Sequence, residues 1–148
     1  MSDAPTPRAQ SVPKHLWIIG VIALLWNLMG AYDYLMTKTR NEAYMSQFEP
    51  AQLEIYYNFP VWLTAFWALA VWGGVLGCVL LLLRKALAVP VFMVSLASMV
   101  ITTGYNLGFS GATEFMGAVD YIFALAIFVV ALGLVFYSRN LRARGILA

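Results

Sequence analysis

The sequence is poor in the residues on which most protein chemistry depends. Charged residues make up 11% of it, against about 25% in an average soluble domain. It contains one histidine, His15, and one cysteine, Cys78. A single cysteine excludes a disulfide or a thiolate metal site within one chain, and one histidine is too few for a histidine-based metal or haem site. No esterase, zinc-protease or phosphate-loop motif occurs, so we expect no catalytic residue, metal or cofactor, and a protein that is not an enzyme.

Basic residues are also scarce and spread along the chain, without the basic cluster that indicates binding to nucleic acid. What the chain has in abundance is apolar surface, because 62% of its 148 residues are hydrophobic. A soluble core of this size could not bury that much, whereas a lipid bilayer can surround it. The composition therefore predicts the lipid bilayer as the first partner of this protein.

Four apolar runs are long enough to cross a bilayer, for which a helix needs roughly 20 residues. They cover residues 16–35, 61–83, 86–108 and 117–137. The first run is too long for a cleaved signal and lacks a small-residue cleavage pattern after it. We therefore expect an all-α membrane protein, with four transmembrane helices in an antiparallel up-down bundle that spans residues 14–138.

Lysine and arginine in the loops predict the orientation, because they concentrate on the cytoplasmic side. Seven of them fall on one side of the predicted bundle: Arg8, Lys14, Arg84, Lys85, Arg139, Arg142 and Arg144. The other side has Lys38 and Arg40. This asymmetry places both termini in the cytoplasm, with residues 1–13 as a disordered tail and residues 139–148 as a basic tail.

The loop over residues 36–60 is the long one and carries helix-start signals. Thr39 and Glu42 fit a capping box, which predicts a short helix over residues 40–48. Pro50 fits the first turn of a second helix. We expect a short helical outer segment that lies on the membrane surface or caps the bundle, and the alternative is a partly ordered connector.

Small and polar residues recur at helical spacing within the predicted spans. Ser95, Ser98, Thr102 and Asn106 form one stripe, and Gly20, Ala23, Asn27 and Ala31 form another. One interpretation is close helix packing, for which the candidates are Gly20, Ala70, Gly73, Gly77 and Ala124. Of these, Gly73 and Gly77 form a G-x-x-x-G that we expect to contact a second copy of the chain.

The other interpretation is a ligand cavity that opens to the outside. Asn27 would form its floor and Thr102 and Asn106 its walls, with a rim that contains Asp33 and Asp120, two acids inside predicted spans, where charge is costly. The remaining rim candidates are Tyr34, Tyr105 and Tyr121. Carboxylates, amides and aromatic rings together suit a polar uncharged solute, such as a sugar, or a cation.

Several short motifs resemble those of a known group of proteins. They are Trp26-Asn27-x-x-Gly30-Ala31-x-Asp33-Tyr34, Thr39-Arg40-Asn41-Glu42-Ala43-Tyr44, Phe59-Pro60-x-Trp62 and Trp72-Gly73-Gly74-x-x-Gly77. Over about residues 16–110 the chain resembles small four-span bacterial membrane proteins that are sometimes described as sugar transporters. The resemblance implies a multipass protein of the bacterial inner membrane. The small sugar-porter half-transporters differ, because they have three spans and a Pro-Gln pair, which this chain lacks.

Two functions follow as hypotheses. The first is a small-polar-solute transporter or binding protein that acts as a homo-oligomer, since four helices are few for alternating access. The second is a non-catalytic accessory or regulatory subunit of a larger membrane complex, for which the small-residue faces and the lack of catalytic motifs are the reasons. A third option is an envelope protein that binds no ligand.

Overall fold

The computed structural model describes residues 10–148, and these residues form helices without any strand. The α-helices are α1 (Lys14–Lys38), α2 (Glu42–Met45), α3 (Pro50–Tyr57), α4 (Val61–Leu82), α5 (Ala88–Gly108) and α6 (Ala118–Ala143), with a 3-10 turn at Ala112–Phe115. Four of them, α1, α4, α5 and α6, are long and apolar enough to cross a membrane. The prediction of an all-helical membrane protein with four candidate spans is confirmed. The predicted disorder of residues 1–9 lies outside the described residues.

The predicted and observed helix bounds differ most at the last span. Helix α6 continues past residue 137 to Ala143, and the chain then turns at Gly145, whose φ of 73° lies in the left-handed region. Leu141, Ile146 and Leu147 are buried. The interpretation of residues 139–148 as a separate tail is therefore wrong, because apolar side chains within this segment pack back onto the bundle.

The end of the chain also pairs with the turn between α4 and α5. The amide of Ala86 donates to the carbonyl of Ala148, and the amide of Ala148 donates to the carbonyl of Arg84, each at 2.9 Å. Arg84 itself has a φ of 57°. Its backbone occupies the position at which a helix C-terminus usually has glycine, and the pairing with Ala148 holds this turn.

The long helices pack in the order α1, α4, α5, α6. Backbone contact between α1 and α6 is sparse, and large side chains bridge the gap instead. The rings of Trp26 and Phe123 lie 5.7 Å apart, and His15 Nδ1 is hydrogen-bonded to the Tyr137 hydroxyl at 2.6 Å. The bundle is consequently tight around α4 and open between α1 and α6.

Glycines explain why α4 packs so closely. A Cβ on Gly77 would lie 2.5 Å from the ring of Phe92, and one on Gly73 would lie 3.1 Å from the Cβ of Ser95. Both neighbours belong to α5, so the expected contact of Gly73 and Gly77 with a second copy of the chain is wrong. The helix face that contains these two glycines already contacts α5 of the same chain, because their missing side chains let α4 and α5 approach each other.

The other residues predicted to pack helices occupy varied places. Gly20 of α1 faces Leu82 of α4, where a Cβ would lie 2.5 Å from the Leu82 Cδ2 atom. The carbonyl of Ala70 accepts a hydrogen bond of 2.6 Å from the Ser95 hydroxyl. Ala124 is half-buried on α6. Close packing of small residues thus joins α1 to α4 and α4 to α5.

The two ends of the bundle differ in charge. At one end a buried cluster that includes Leu16, Leu81, Ala88 and Leu141 joins the start of α1 and α5 to the end of α4 and α6. We name this end of the bundle the basic end, after Lys14, Arg84, Lys85, Arg139, Arg142 and Arg144. The opposite, acidic end contains Asp33, Glu42, Glu49, Glu54, Glu114 and Asp120, with Lys38 and Arg40.

The connecting segment, residues 39–60, joins α1 to α4 at the acidic end. The predicted capping box of Thr39 and Glu42 is wrong, because the Thr39 hydroxyl donates to the Leu35 carbonyl of its own helix. Asn41 caps α2 instead, with its side-chain oxygen 3.0 Å from the amide of Tyr44. Between α1 and α2, Arg40 has a φ of 53°, a left-handed conformation that does not continue the helix. The short helix is therefore four residues long rather than nine.

The second predicted start is confirmed, because α3 begins at Pro50. The amide of Glu49 donates to Gln52 Oε1 at 3.1 Å, which satisfies one free donor at the helix start. The guanidinium of Arg40 lies 4.3 Å above the ring of Tyr57 at the other end of α3. This cation–π contact ties α3 to the end of α1.

Candidate functional site

A cavity of about 720 Å³ lies between the four long helices. Its walls come from α1, α4, α5 and α6, and the connecting segment contributes side chains to the lining at the acidic end. The cavity occupies the opening that the sparse contact between α1 and α6 leaves. Its volume falls within the range of small-molecule sites, roughly 300–1,000 Å³.

Four of the eight residues predicted to bind a ligand line this cavity. Asn27 and Asp33 reach it from α1, and Thr102 and Asn106 reach it from α5. The polar stripes of these two helices therefore have both roles that the sequence suggested. Ser95, Ser98 and Thr102 are buried between helices, while part of the same stripe faces the cavity.

The other four predicted residues lie outside the cavity lining. Tyr34 packs edge-on against Trp67 at 4.9 Å, and Tyr105 packs against Trp62 at 5.5 Å. The Asp120 carboxylate accepts a hydrogen bond of 2.7 Å from the amide of Gly117, so this acid stabilises the first turn of α6. Tyr121 is exposed on α6. The predicted rim of three tyrosines and two acids is therefore wrong, apart from Asp33.

Aromatic side chains that the sequence did not assign to the cavity form much of its wall. Six rings follow one another with centroids 5.5–6.2 Å apart. We name them the aromatic chain: Tyr32, Tyr44, Phe48, Tyr56, Phe59 and Trp67. Four of the six come from the connecting segment. The aromatic density of that segment is the one sequence signal that could have indicated this role.

Asp33 is hydrogen-bonded to one member of the aromatic chain. The Tyr44 hydroxyl donates to Asp33 Oδ1 at 2.5 Å. Burial of the phenol, together with this hydrogen bond and the negative charge of Asp33, raises the pKa of Tyr44 to about 12. The tyrosine therefore remains a neutral donor at physiological pH, and Asp33 connects α1 to the connecting segment.

The electrostatic field at this end of the cavity is negative. Burial raises the pKa of the Tyr56 hydroxyl, and the charges of Asp33 and Asp120 raise it further. Asp120 thus influences the cavity through its charge, although its side chain does not line it. No lysine or arginine in residues 10–148 lines the cavity to offset this field.

The protein itself already uses several hydrogen-bond donors of the cavity wall. The Ser95 hydroxyl donates to the Ala70 carbonyl at 2.6 Å, and the Thr102 hydroxyl lies 3.0 Å from the Met99 carbonyl. The Asn27 amide donates to the Ala23 carbonyl at 2.8 Å and approaches the sulfur of Cys78 at 3.5 Å. With the Tyr44 hydroxyl engaged by Asp33, these four side chains have donors that are committed to the protein.

Asn106 differs from these residues, because its side-chain oxygen has no partner. This Oδ1 atom is buried, and no donor of the described chain reaches it. A buried acceptor without a hydrogen bond costs about 1–3 kcal/mol. Among the described residues, this is the one buried side-chain oxygen or nitrogen that the protein leaves without a partner.

The site contains no arrangement suited to a metal ion. Within residues 10–148, no three histidine, cysteine or acidic side chains come together closely enough to hold one.

The chain matches no protein-family model, no curated protein and no solved structure. The resemblance to small four-span bacterial membrane proteins accordingly stays a prediction.

Proposed function

We propose that this protein binds a small polar solute inside its four-helix bundle and, as an oligomer, transports it across a bacterial inner membrane. The observation that carries the proposal is the cavity of about 720 Å³ between four helices that are apolar enough to cross a membrane. A closely packed bundle of structural helices has no need of such a space, because interiors normally leave few voids larger than a water molecule.

The proposed topology is an antiparallel up-down bundle with both termini in the cytoplasm. Its support is the buried cluster that joins Leu16 of α1, Leu81 of α4, Ala88 of α5 and Leu141 of α6. Six described basic residues share the basic end, against two at the acidic end. The positive-inside rule assigns the basic end to the cytoplasm. The connecting segment then faces the outside and lines the outer end of the cavity.

A ligand-binding experiment tests the proposal. The purified protein in lipid nanodiscs would be heated with single solutes from a panel of sugars, polyols, amino acids and alkylammonium ions. A solute that binds the folded protein stabilises it, by about 2.7 kcal/mol at 100 times its Kd. We expect one class of solute in the panel to raise the unfolding temperature.

A pair of matched variants locates the binding. Ala131 lines the cavity from α6, so Ala131→Phe places a ring inside it and should abolish the stabilisation. Ala97 is exposed on α5, so Ala97→Phe makes the same chemical change towards lipid and should leave the stabilisation intact. Equal binding by both variants would contradict the assignment of the cavity as the site.

Uptake of the solute by proteoliposomes separates transport from binding alone. The oligomer that transport requires can form through the surface of α5, because Gly104 and Gly108 lie four residues apart and no atom lies within 4 Å of a Cβ placed on either. Such a face lets another helix approach closely. Proteoliposomes that take up no solute, from a protein that binds it, would limit the function to binding.

The same face favours the second candidate function, an accessory subunit of a larger membrane complex. A helix of the larger partner would then occupy the surface around Gly104 and Gly108. The variants Gly104→Leu and Gly108→Leu should release this partner after extraction in mild detergent. Stoichiometric recovery of a larger membrane protein with the wild type, and its loss from both variants, would replace the transporter proposal.

A further inference from the structure

The chemistry of the cavity wall narrows the class of solute. A sugar carries hydroxyl groups that both donate and accept, so a sugar site needs donors as well as acceptors. Here the donors of Asn27, Ser95 and Thr102 are committed to backbone carbonyls of the protein. The donor of Tyr44 is committed to Asp33. These four side chains leave acceptor capacity for a ligand, while the Tyr56 hydroxyl and the Trp67 indole N–H also line the cavity as donors.

Two acceptors remain without a cationic partner in the wall. One is the Asp33 carboxylate, which has the Tyr44 hydroxyl at 2.5 Å, while no lysine or arginine of residues 10–148 lines the cavity. The other is the buried Oδ1 atom of Asn106, which no donor reaches. The Asp33 side chain is half-buried, and a positive charge nearby stabilises a carboxylate in such a place. A cation in the cavity would provide that charge.

The aromatic chain supplies the other half of a cation site. Faces of aromatic rings attract positive charge, and rings around a quaternary nitrogen are a recurring arrangement in proteins that recognise alkylammonium groups. Tyr32, Tyr44, Tyr56 and Trp67 all line the cavity with Asp33. Their apolar surfaces also accommodate the carbon substituents of such a nitrogen, which a metal cation would not use.

The charge of the whole acidic end acts in the same direction. Six carboxylates lie there against Lys38 and Arg40, and Arg40 is engaged with the ring of Tyr57. A negative surface around a cleft raises the local concentration of cations. Attraction at the entrance and recognition inside the cavity therefore select the same sign of charge.

We infer that the solute is a small organic cation, a compact alkylammonium whose charged nitrogen lies between the Asp33 carboxylate and the rings of the aromatic chain. This inference rests on the proposed binding of a solute in the cavity. The site contributes a negative charge and aromatic faces, and the ligand contributes the positive charge.

Calorimetry on the protein in lipid nanodiscs tests the inference with three probes. They are choline, its uncharged isostere with a quaternary carbon in place of the nitrogen, and glucose. We expect choline to bind at least about tenfold more tightly than the isostere, because the Asp33 carboxylate attracts the charged nitrogen and not the uncharged carbon. Glucose should not bind.

Two variants with the same loss of charge separate direct binding of the ligand by Asp33 from a general effect of the negative electrostatic field at the acidic end. Asp33→Asn keeps an acceptor for the Tyr44 hydroxyl but removes the charge in the cavity, and we expect choline affinity to fall about tenfold or more. Asp120→Asn keeps an acceptor for the Gly117 amide outside the cavity lining, and we expect less than about a threefold change because exposed charges are screened.

A third variant tests the rings. Trp67→Leu removes a ring but keeps an apolar side chain, and it should weaken choline about two- to thirtyfold while leaving the weak binding of the isostere unchanged. Folding of each variant is checked by its unfolding temperature without ligand, so loss of binding by a folded variant is interpretable. Trp67→Phe, which retains an aromatic face, should restore part of the affinity.

Each outcome decides a different statement. Tighter binding of choline than of its isostere, with a specific loss in Asp33→Asn, supports the inference. Equal binding of choline and the isostere, or binding of glucose that Asp33→Asn leaves unchanged, overturns the organic cation and leaves the proposed solute site standing. If none of the panel binds and Ala131→Phe changes nothing, both the inference and the proposed function fail.

Discussion

Gly77 provides the sharpest test of the helix packing that shapes the cavity. A Cβ at this position would lie 2.5 and 2.6 Å from two carbons of the Phe92 ring. Non-bonded carbons rest at about 3.5–4.0 Å, so either the ring or the helix must move by about 1 Å. Phe92 is 3% exposed, which leaves the ring little room. Overpacking of this kind costs about 1–3 kcal/mol.

Helix propensity acts in the opposite direction, because alanine is favoured over glycine in a helix by about 1 kcal/mol. We expect Gly77→Ala to be destabilised by up to about 2 kcal/mol after this gain. Gly104→Ala is the matched control, since no atom lies within 4 Å of its added Cβ. That variant should be as stable as the wild type or more so.

Unfolding of the purified protein in mixed micelles with increasing amounts of denaturing detergent measures both variants. Adding Phe92→Leu to Gly77→Ala should recover part of the loss, because the smaller side chain makes room for the methyl group. If Gly77→Ala is as stable as Gly104→Ala, α4 and α5 do not pack through this contact, and the reasoning is refuted.

Three further predictions concern Tyr44 and the turns at Arg84 and Gly145. Because the pKa of Tyr44 is raised to about 12 from its ordinary value of 10.0, an unfolded chain loses the proton first, and the contribution of Tyr44 to stability should be constant below pH 10 and be lost between pH 10 and pH 12. A spectroscopic titration of tyrosinate should show this late-titrating group, and Tyr44→Phe should remove it. Gly145→Ala should destabilise the packed end of the chain by about 1 kcal/mol, since its φ is 73°. Arg84→Gly should be neutral or stabilising by a similar amount because it relieves the same backbone conformation. Equal thermal stabilities of the two variants would contradict this assignment.

The four long helices could be predicted from the sequence because hydropathy alone determines them. An apolar run of this length has one stable form in a bilayer, in which every backbone group is paired within the helix. The bounds of α4 and α5 accordingly differ by at most two residues from the predicted runs. The end of α6 was missed because Arg139 and Arg142 end the apolar run, although the helix continues.

The partners of the small residues could not be predicted in the same way. A G-x-x-x-G pattern indicates a close approach without stating to which helix, and Gly73 and Gly77 meet α5 of the same chain. Asp120 illustrates a similar ambiguity, since an acid three residues after Gly117 suits both a ligand site and a helix start. The hydrogen bond from the Gly117 amide to the Asp120 carboxylate assigns it to the helix start.

The aromatic wall of the cavity depends on contacts between residues that are distant in the sequence. Phe48, Tyr56 and Phe59 belong to a segment that the sequence predicted to lie on the membrane surface or to cap the bundle, and they line the cavity. Their position follows from the two turns at Arg40 and Pro50, which fold the segment back over the bundle. The spacing of apolar residues within a short helix does not predict how the segment folds back over the bundle.

Thiol labelling from the outside decides whether the cavity is open to the external medium and attracts cations. In a protein with Cys78→Ala, Thr103→Cys places a single thiol in the cavity wall, and Ala97→Cys places it towards lipid. The account predicts that, in intact cells, the cavity thiol reacts with a small, membrane-impermeant reagent, faster with a cationic than with an anionic reagent of equal size, while the thiol at residue 97 does not react. A cavity thiol that is inert from the outside, or that reacts faster with the anionic reagent, would contradict an outward-facing site for a cation.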